Sequence, residues 1–226
     1  MFAVAVHLLM MKREMKSVRK KVGLLGGTFN PVHFGHLVLA REAMKRFGLD
    51  EVLFIPCAAP PHKQAPDLAS GRDRLAMLRA ATHDEPRFKV LDIELKRGGV
   101  SYSIDTLRAL KKSRPRDHFF FIIGTDMLAE LHTWRDIYRL LELCEFVTMA
   151  RPGMRASRIR IPLDPPWPER LRANLFRGKL VDIASRDIRA RARRGWSIDA
   201  LVPETVARYI RAKALYDRKE KGTSKR

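Results

Sequence analysis

Acidic residues are few in this chain, cysteines fewer, and a run long enough to cross a bilayer is missing. Asp and Glu number 25 against 45 Lys and Arg, which leaves a net charge of +20 over 226 residues. That imbalance argues against cationic partners and favours anionic ones: nucleotides, phosphates, nucleic acid or a membrane surface. Two cysteines, Cys57 and Cys144, cannot build a disulfide framework. A reducing, cytoplasmic compartment fits them best. The opening MFAVAVHLLMMKREMK holds an apolar run of about ten residues, against the ~20 a membrane span needs. Its basic residues follow the run, the reverse of a secretory signal. No internal repeat or low-complexity tract stands out, and glycine and proline, 13 each, are ordinary.

What is present is enough apolar residue, 46%, for a full core in one domain. Part of the charge lies at the ends. Residues 1–20 carry five Lys/Arg against one Glu, and residues 211–226 carry seven against Asp217 and Glu220. Residues 1–20 read as an extension outside the core, disordered or owed to an upstream start codon, since Met10, Met11 and Met15 are also available. Residues 21–216 read as the domain and 217–226 as a basic tail. A third basic run, Arg186–Arg194, lies inside the folded region.

Periodicity predicts alternating strands and helices. Strands are expected at 22–25, 51–57, 88–95, 118–123, 145–150 and 179–183 (KLVDI). Helices are expected at 34–47, 70–82, 103–112, 136–144, 185–194 and 203–215. Residues 58–67 are Pro-rich and read as a loop, and 152–178, with five prolines, as an irregular insertion. Several strands are continuously apolar, so the expected fold is an α/β, Rossmann-like, doubly wound and mostly parallel sheet with helices on both faces. Such sheets bind ligands at the carboxyl ends of their strands.

At the first of those ends stands GGTFNPVHFGH, residues 26–36. Gly26 and Gly27 let the backbone bend and approach a ligand. The helix after it aims its free N–H groups into the same crevice, which suits phosphate. His33 and His36, one turn apart, can donate to phosphate oxygens and stabilise charge that grows during phosphoryl chemistry. Capping or a buried hydrogen bond is the structural alternative, and zinc with Cys57 and His62 a further one, although the ligand spacing is loose for it. The turn is neither G-x-G-x-x-G nor a Walker A loop, which counts against hydride transfer and P-loop hydrolysis.

GGTFNPVHFGHL resembles the (T/H)xGH signature of the nucleotidylyltransferase superfamily. With PPHK (60–63), SYSIDTL (101–107), IGTDML (123–128), TW (133–134), RPG (151–153) and IASRDIR (183–189) in order, residues 21–216 resemble the bacterial nicotinate-nucleotide adenylyltransferases. The resemblance implies transfer of AMP from ATP to nicotinate mononucleotide (NaMN), giving deamido-NAD and pyrophosphate in NAD biosynthesis. It implies ATP contacts from Gly26, Gly27, Thr28, Phe29, Gly35, His36, Gly124, Asp126, Ser185, Arg186 and Arg189, with His33, His36 and Arg189 catalytic. NaMN contacts are implied for Lys63, Tyr102, Ser103, Ile104, Trp134 and Arg151. Trp134 would stack on the pyridine ring, and the N–H groups around Ser103 would meet its carboxylate. Ser185 would cap the helix it begins. Mg²⁺ would arrive with ATP and not on protein side chains. IASRDIR departs from the family's ISSTxIR pattern at Ala184 and Arg186. Asn30 stands where many relatives carry Asp, and its role reads as structural. Arg135 stands where they often carry Tyr.

Three other readings remain. One is an adenylyltransferase that prefers the amide substrate NMN or accepts both. Another is a different member of the superfamily, such as a phosphopantetheine adenylyltransferase or a cytidylyltransferase. The third is a basic nucleic-acid-binding protein, although no helix-turn-helix, zinc-finger or RNP pattern is present. Neither a membrane nor a specific nucleic acid is expected as partner. Monomer and homo-oligomer are equally compatible with the sequence.

Overall fold

The structure, a computed structural model, describes residues 19–59, 67–150, 159–179 and 181–217. Its strands are β1 (Lys21–Gly27), β2 (Glu51–Pro56), β3 (Phe88–Val90), β4 (His118–Gly124), β5 (Glu145–Met149) and β6 (Leu175–Phe176). Its helices are α1 (Phe34–Phe47), α2 (Gly71–Thr82), α3 (Ile93–Arg97), α4 (Ser103–Ser113), α5 (Ile137–Leu143), α6 (Trp167–Ala173), α7 (Ser185–Arg193) and α8 (Glu204–Ala212). Two short 3-10 turns, Thr125–Ala129 and Leu131–Thr133, follow β4.

Among the described residues one sheet forms, all parallel, in the order β3-β2-β1-β4-β5-β6. Leu24 lies between Leu53 and Phe121. The chain order reverses between β1 and β4, which opens a crevice at their carboxyl ends. The apolar strands serve both faces at once. In β4, Phe119, Phe121 and Ile123 pack with Ile104, Leu107 and Leu110 of α4 and with Leu140 of α5. Phe120 and Ile122 point the other way, towards Leu37, Ala40 and Met44 of α1 and Val206 and Ile210 of α8. Fully burying each such side chain contributes roughly 1.5–3 kcal/mol. Helix α1 stops at Gly48, whose φ of +62° lets its N–H reach back to Met44 O. Lys45 and Arg46 in its last turn face the negative end of the helix dipole.

Three expectations fail. The 88–95 strand ends at Val90, and Ile93–Arg97 is helical. A five-residue apolar alternation fits one helical turn as well as a strand, and Lys96 pairs back with Asp92 at 3.1 Å. The insertion is not wholly irregular, because α6 and β6 form within it. Pro168 sits in the first turn of α6, where a missing N–H costs nothing. KLVDI is not a strand: Lys179 and Val181–Ile183 are outside the sheet, whose edge is β6, and Leu180 lies outside the described residues. No helix among the described residues is long and apolar enough to cross a membrane.

Candidate active site

One crevice of about 1190 Å³ opens over the carboxyl ends of β1 and β4. The structure brings Gly26, Gly27, Thr28, Phe29, His33, Gly35, His36, Tyr102, Ser103, Gly124, Asp126, Trp134, Ser185, Arg186 and Arg189 to its walls. Ile104 is not on the wall: the residue is fully buried in the core, so the structure does not bring this expected contact to the crevice. Lys63 and Arg151, like His62, lie outside the described residues. Val181 and Ile183, expected in a strand, line the crevice instead.

The turn after β1 forms one end. Phe29 takes a φ of +48°, an uncommon conformation for a side chain of this size. Burial of its ring against His36 (5.0 Å) and Phe54 (6.0 Å) holds it there. Side chains from distant elements then occupy the carbonyls of the turn. Arg74 Nη1 donates to Thr28 O at 2.9 Å. Arg189 Nη1 donates to Asn30 O at 2.8 Å, and Ser185 Oγ to Pro31 O at 2.9 Å. Cys57 N donates to Gly27 O at 3.0 Å. Four carbonyls of the turn are thereby engaged, which removes four acceptors that would otherwise oppose an anion there.

Asn30 is the hub of that turn. Its Nδ2 donates to Asp67 O at 3.0 Å, and its Oδ1 accepts from Ala69 N at 3.0 Å and from the Tyr216 hydroxyl at 2.9 Å. It is 3% exposed, so these bonds are shielded from water. Asp67 is further tied to α7 by an ion pair with Arg193.

His33 is buried at the start of α1 in an extended conformation. Its N–H donates to His36 Nδ1 at 3.3 Å, so the His36 proton belongs on Nε2. The two rings lie 3.8 Å apart. Burial lowers His33 to about 4. Burial, and then the neighbouring His33, hold His36 well below the ordinary histidine range. Without a ligand both are therefore neutral at pH 7, each imidazole with one N–H to donate. His33 Nδ1 is buried without a partner among the described residues. A side chain at Gly35 would come within 3.0 Å of that same nitrogen, so the close packing here requires glycine.

Ser185 does not cap α7: Ala184 holds the cap position and the hydroxyl goes to Pro31 instead. Arg186, 82% exposed in its side chain, pairs with Asp187 at 3.5 Å on the rim. Arg189 is turned towards the phosphate turn, and its Nε is buried without a partner among the described residues.

The other end of the crevice is aromatic. Trp134 sits edge-on to Phe121 (5.5 Å) and to Phe146 (6.1 Å). Tyr102 lies at the start of α4, with the Arg135 guanidinium over its ring at 4.8 Å. Between the two ends, Glu94 accepts from the Thr106 hydroxyl at 2.7 Å, and Arg97 Nη2 donates to that hydroxyl at 3.0 Å.

Sequence reasoning missed Arg74, Glu94 and Tyr216. Arg74 is 1% exposed and spends its fork on four carbonyls, those of Thr28, Cys57, Ala58 and Ala69. Its signal was phase: it stands one turn before Met77 and Leu78, the buried face of α2. Glu94 was hidden by the mistaken strand. Nothing in the sequence marks Tyr216 as a partner of residue 30. Among the described residues no three His, Cys, Asp or Glu gather as a metal site.

Comparison with known proteins agrees with this geometry. Residues 24–192 match the cytidylyltransferase-like family model. The chain is 44% identical to a probable nicotinate-nucleotide adenylyltransferase of Opitutus terrae, over 87% of this chain and 97% of that one. It is 46% identical to a protein of the same description from Halalkalibacterium halodurans, over 89% and 93%. A solved structure of the Plasmodium falciparum nicotinic acid mononucleotide adenylyltransferase, in complex with NaAD, superposes with a TM-score of 0.69 at 18% identity. It covers 88% of this chain and 98% of that one, and speaks for the fold.

Proposed function

The chain belongs to the cytidylyltransferase-like family, among the nicotinate-nucleotide adenylyltransferases, and from that premise we propose how its crevice transfers AMP from ATP to NaMN. A phosphate oxygen of NaMN attacks the α-phosphorus of ATP. The bond from that phosphorus to the bridging oxygen breaks, and pyrophosphate leaves. The NaMN phosphate is itself the nucleophile, so the protein need supply neither a nucleophile nor a base. Its contribution is position and charge stabilisation.

ATP lies with its phosphates against the 26–36 turn. Gly26, Gly27, Thr28 and Phe29 form the floor, and Gly35 leaves room beside His33. His33 and His36 donate N–H groups to the α-phosphate as negative charge moves through it. Donors already fixed in place cost no reorganisation as that charge develops. Arg189, with Ser185 and Arg186 beside it, holds the β- and γ-phosphates, and Asp126 with Gly124 meets ribose. Mg²⁺ comes as part of the substrate, on the ATP phosphates with most of its waters.

The pyridine ring of NaMN takes the aromatic end, stacked on Trp134 beside Tyr102. The N–H of Ser103, which no helical bond claims, reads the carboxylate. Lys63 and Arg151 are assigned to the NaMN phosphate by sequence alone. With both described thiols free, the reaction belongs in a reducing cytoplasm.

The observation that carries this reading is the pairing, in one crevice, of a glycine-rich turn bearing two histidines 3.8 Å apart with an aromatic wall at Trp134 and Tyr102. Incubation with ATP, Mg²⁺ and either NaMN or NMN, followed by assay of pyrophosphate and dinucleotide, tests it. Strong turnover of NaMN, with kcat lowered about 100- to 1,000-fold in His36→Ala, is the expected result. Turnover of NMN alone would reassign the ring pocket, and no transfer to either would sink the reading.

A further inference from the structure

The arginines on the crevice wall divide between its two ends. Arg186 and Arg189 stand on α7 beside the 26–36 turn, and among the described residues Arg135 is the arginine at the aromatic end. A nicotinate ring carries a carboxylate that a nicotinamide ring lacks. A fixed positive charge at the ring end therefore discriminates between them, and a charge at the phosphate end does not.

Arg135 is held there lightly. Its guanidinium rests on the Tyr102 ring, which fixes where it stands. Its ionic partner is Asp105, at 4.0 Å, the limit of an ion pair. Asp105 is also shared with Arg108 at 3.8 Å, and Arg108 has a second, closer partner in Asp136 at 3.2 Å. The Arg135 side chain is 55% exposed, and an exposed pair of this kind contributes little. Redirecting the fork from Asp105 to an incoming carboxylate costs correspondingly little. The first N–H groups that α4 itself engages are those of Asp105 and Thr106, both bonded to Tyr102 O. Ser103, the first residue of α4, is on the crevice wall with Arg135.

We propose that Arg135 determines specificity for the acid: its guanidinium, carried on the Tyr102 ring, closes over the carboxylate that the start of α4 receives. The inference rests on the adenylyl transfer proposed above and adds a residue to it. A carboxylate offers two charged acceptor oxygens to these donors. A carboxamide offers one neutral oxygen and turns an NH₂ group towards the guanidinium.

Steady-state kinetics of the full chain with NaMN and with NMN, at low and high salt, compare wild type with Arg135→Gln and Arg135→Lys. Arg135→Gln is expected to raise KM for NaMN about tenfold, with kcat little changed and KM for NMN unmoved. Arg135→Lys recovers part of that loss. Added salt should weaken NaMN binding more in the wild type than in Arg135→Gln. An unchanged KM for NaMN in Arg135→Gln, or equal shifts for both substrates, overturns the inference while the adenylyl transfer stands. A wild type that transfers to neither substrate overturns both.

Discussion

The two ends of the crevice are built on different terms. At the phosphate turn the carbonyls of Gly27, Thr28, Asn30 and Pro31 each accept a bond from another element, and the Asn30 side chain makes three more. At the aromatic end Trp134 is placed by ring packing, and Arg135 by one ring and a long, exposed ion pair. Charge that moves during a reaction is stabilised only by donors already aimed at it, so that end is over-determined. A flat ring needs an apolar wall and little more, so the other end is free to adapt. On the proposed reading, the rigid end serves the chemistry common to both candidate substrates, and the loose end is where they would be told apart.

The largest effect should come from breaking the rigid end at Arg74. Arg74→Met removes one buried cation and strands four carbonyls, which should cost on the order of 3–5 kcal/mol, read in a urea titration. Arg74→Lys keeps the charge but not the fork, and its loss should be intermediate. If Arg74→Met unfolds at wild-type denaturant, the turn is held by something else.

Acid should act on the same end. His33 is lowered by burial to about 4, and His36 is held well below the ordinary histidine range by burial and then by His33. In the unfolded chain both titrate near 6.5, so below that pH the unfolded state binds more protons than the folded one. Stability is then fully present above pH 6.5 and falls as pH drops, by roughly 3 kcal/mol from His33 alone by the time pH reaches about 4. Denaturant midpoints across pH 4–8 measure this. A flat profile below pH 6.5 would mean that the pair is not buried neutral.

The smallest effect should come from the adaptable end. Trp134→Leu keeps an apolar wall and loses the stacking face. KM for NaMN should rise by the equivalent of roughly 1–2 kcal/mol, with thermal stability nearly unchanged. A drop in stability comparable to that of Arg74→Met would erase the distinction between the two ends.

The strands buried on both faces were legible because unbroken apolar runs of that length suit few other positions in a fold. HFFFII can hardly lie anywhere but in the middle of a sheet. KLVDI was misread because an apolar segment can also cover a crevice, and a segment with that task has the same residues. Helix α6 was hidden by prolines, which break a helix interior but not its first turn. In the site, the described site residues of the contiguous motifs, Ile104 excepted, line one crevice. Arg74 escaped because its partners are backbone carbonyls, which no residue type spells out. Asn30 read as structural, and three side-chain bonds give it that role.

The hub at Asn30 also bears on how the protein is made. Its turn lies near the start of the domain, but the groups that complete it come from Ser185, Arg189 and Tyr216, at separations of 154, 159 and 186 residues. A growing chain thus carries the whole signature motif long before it carries a site. Until those late segments leave the ribosome, the carbonyls of Asn30 and Pro31 lack the partners that the folded chain gives them, and an interrupted chain keeps the motif without its full architecture. Synthesis itself delays activity until the fold can close on its own beginning.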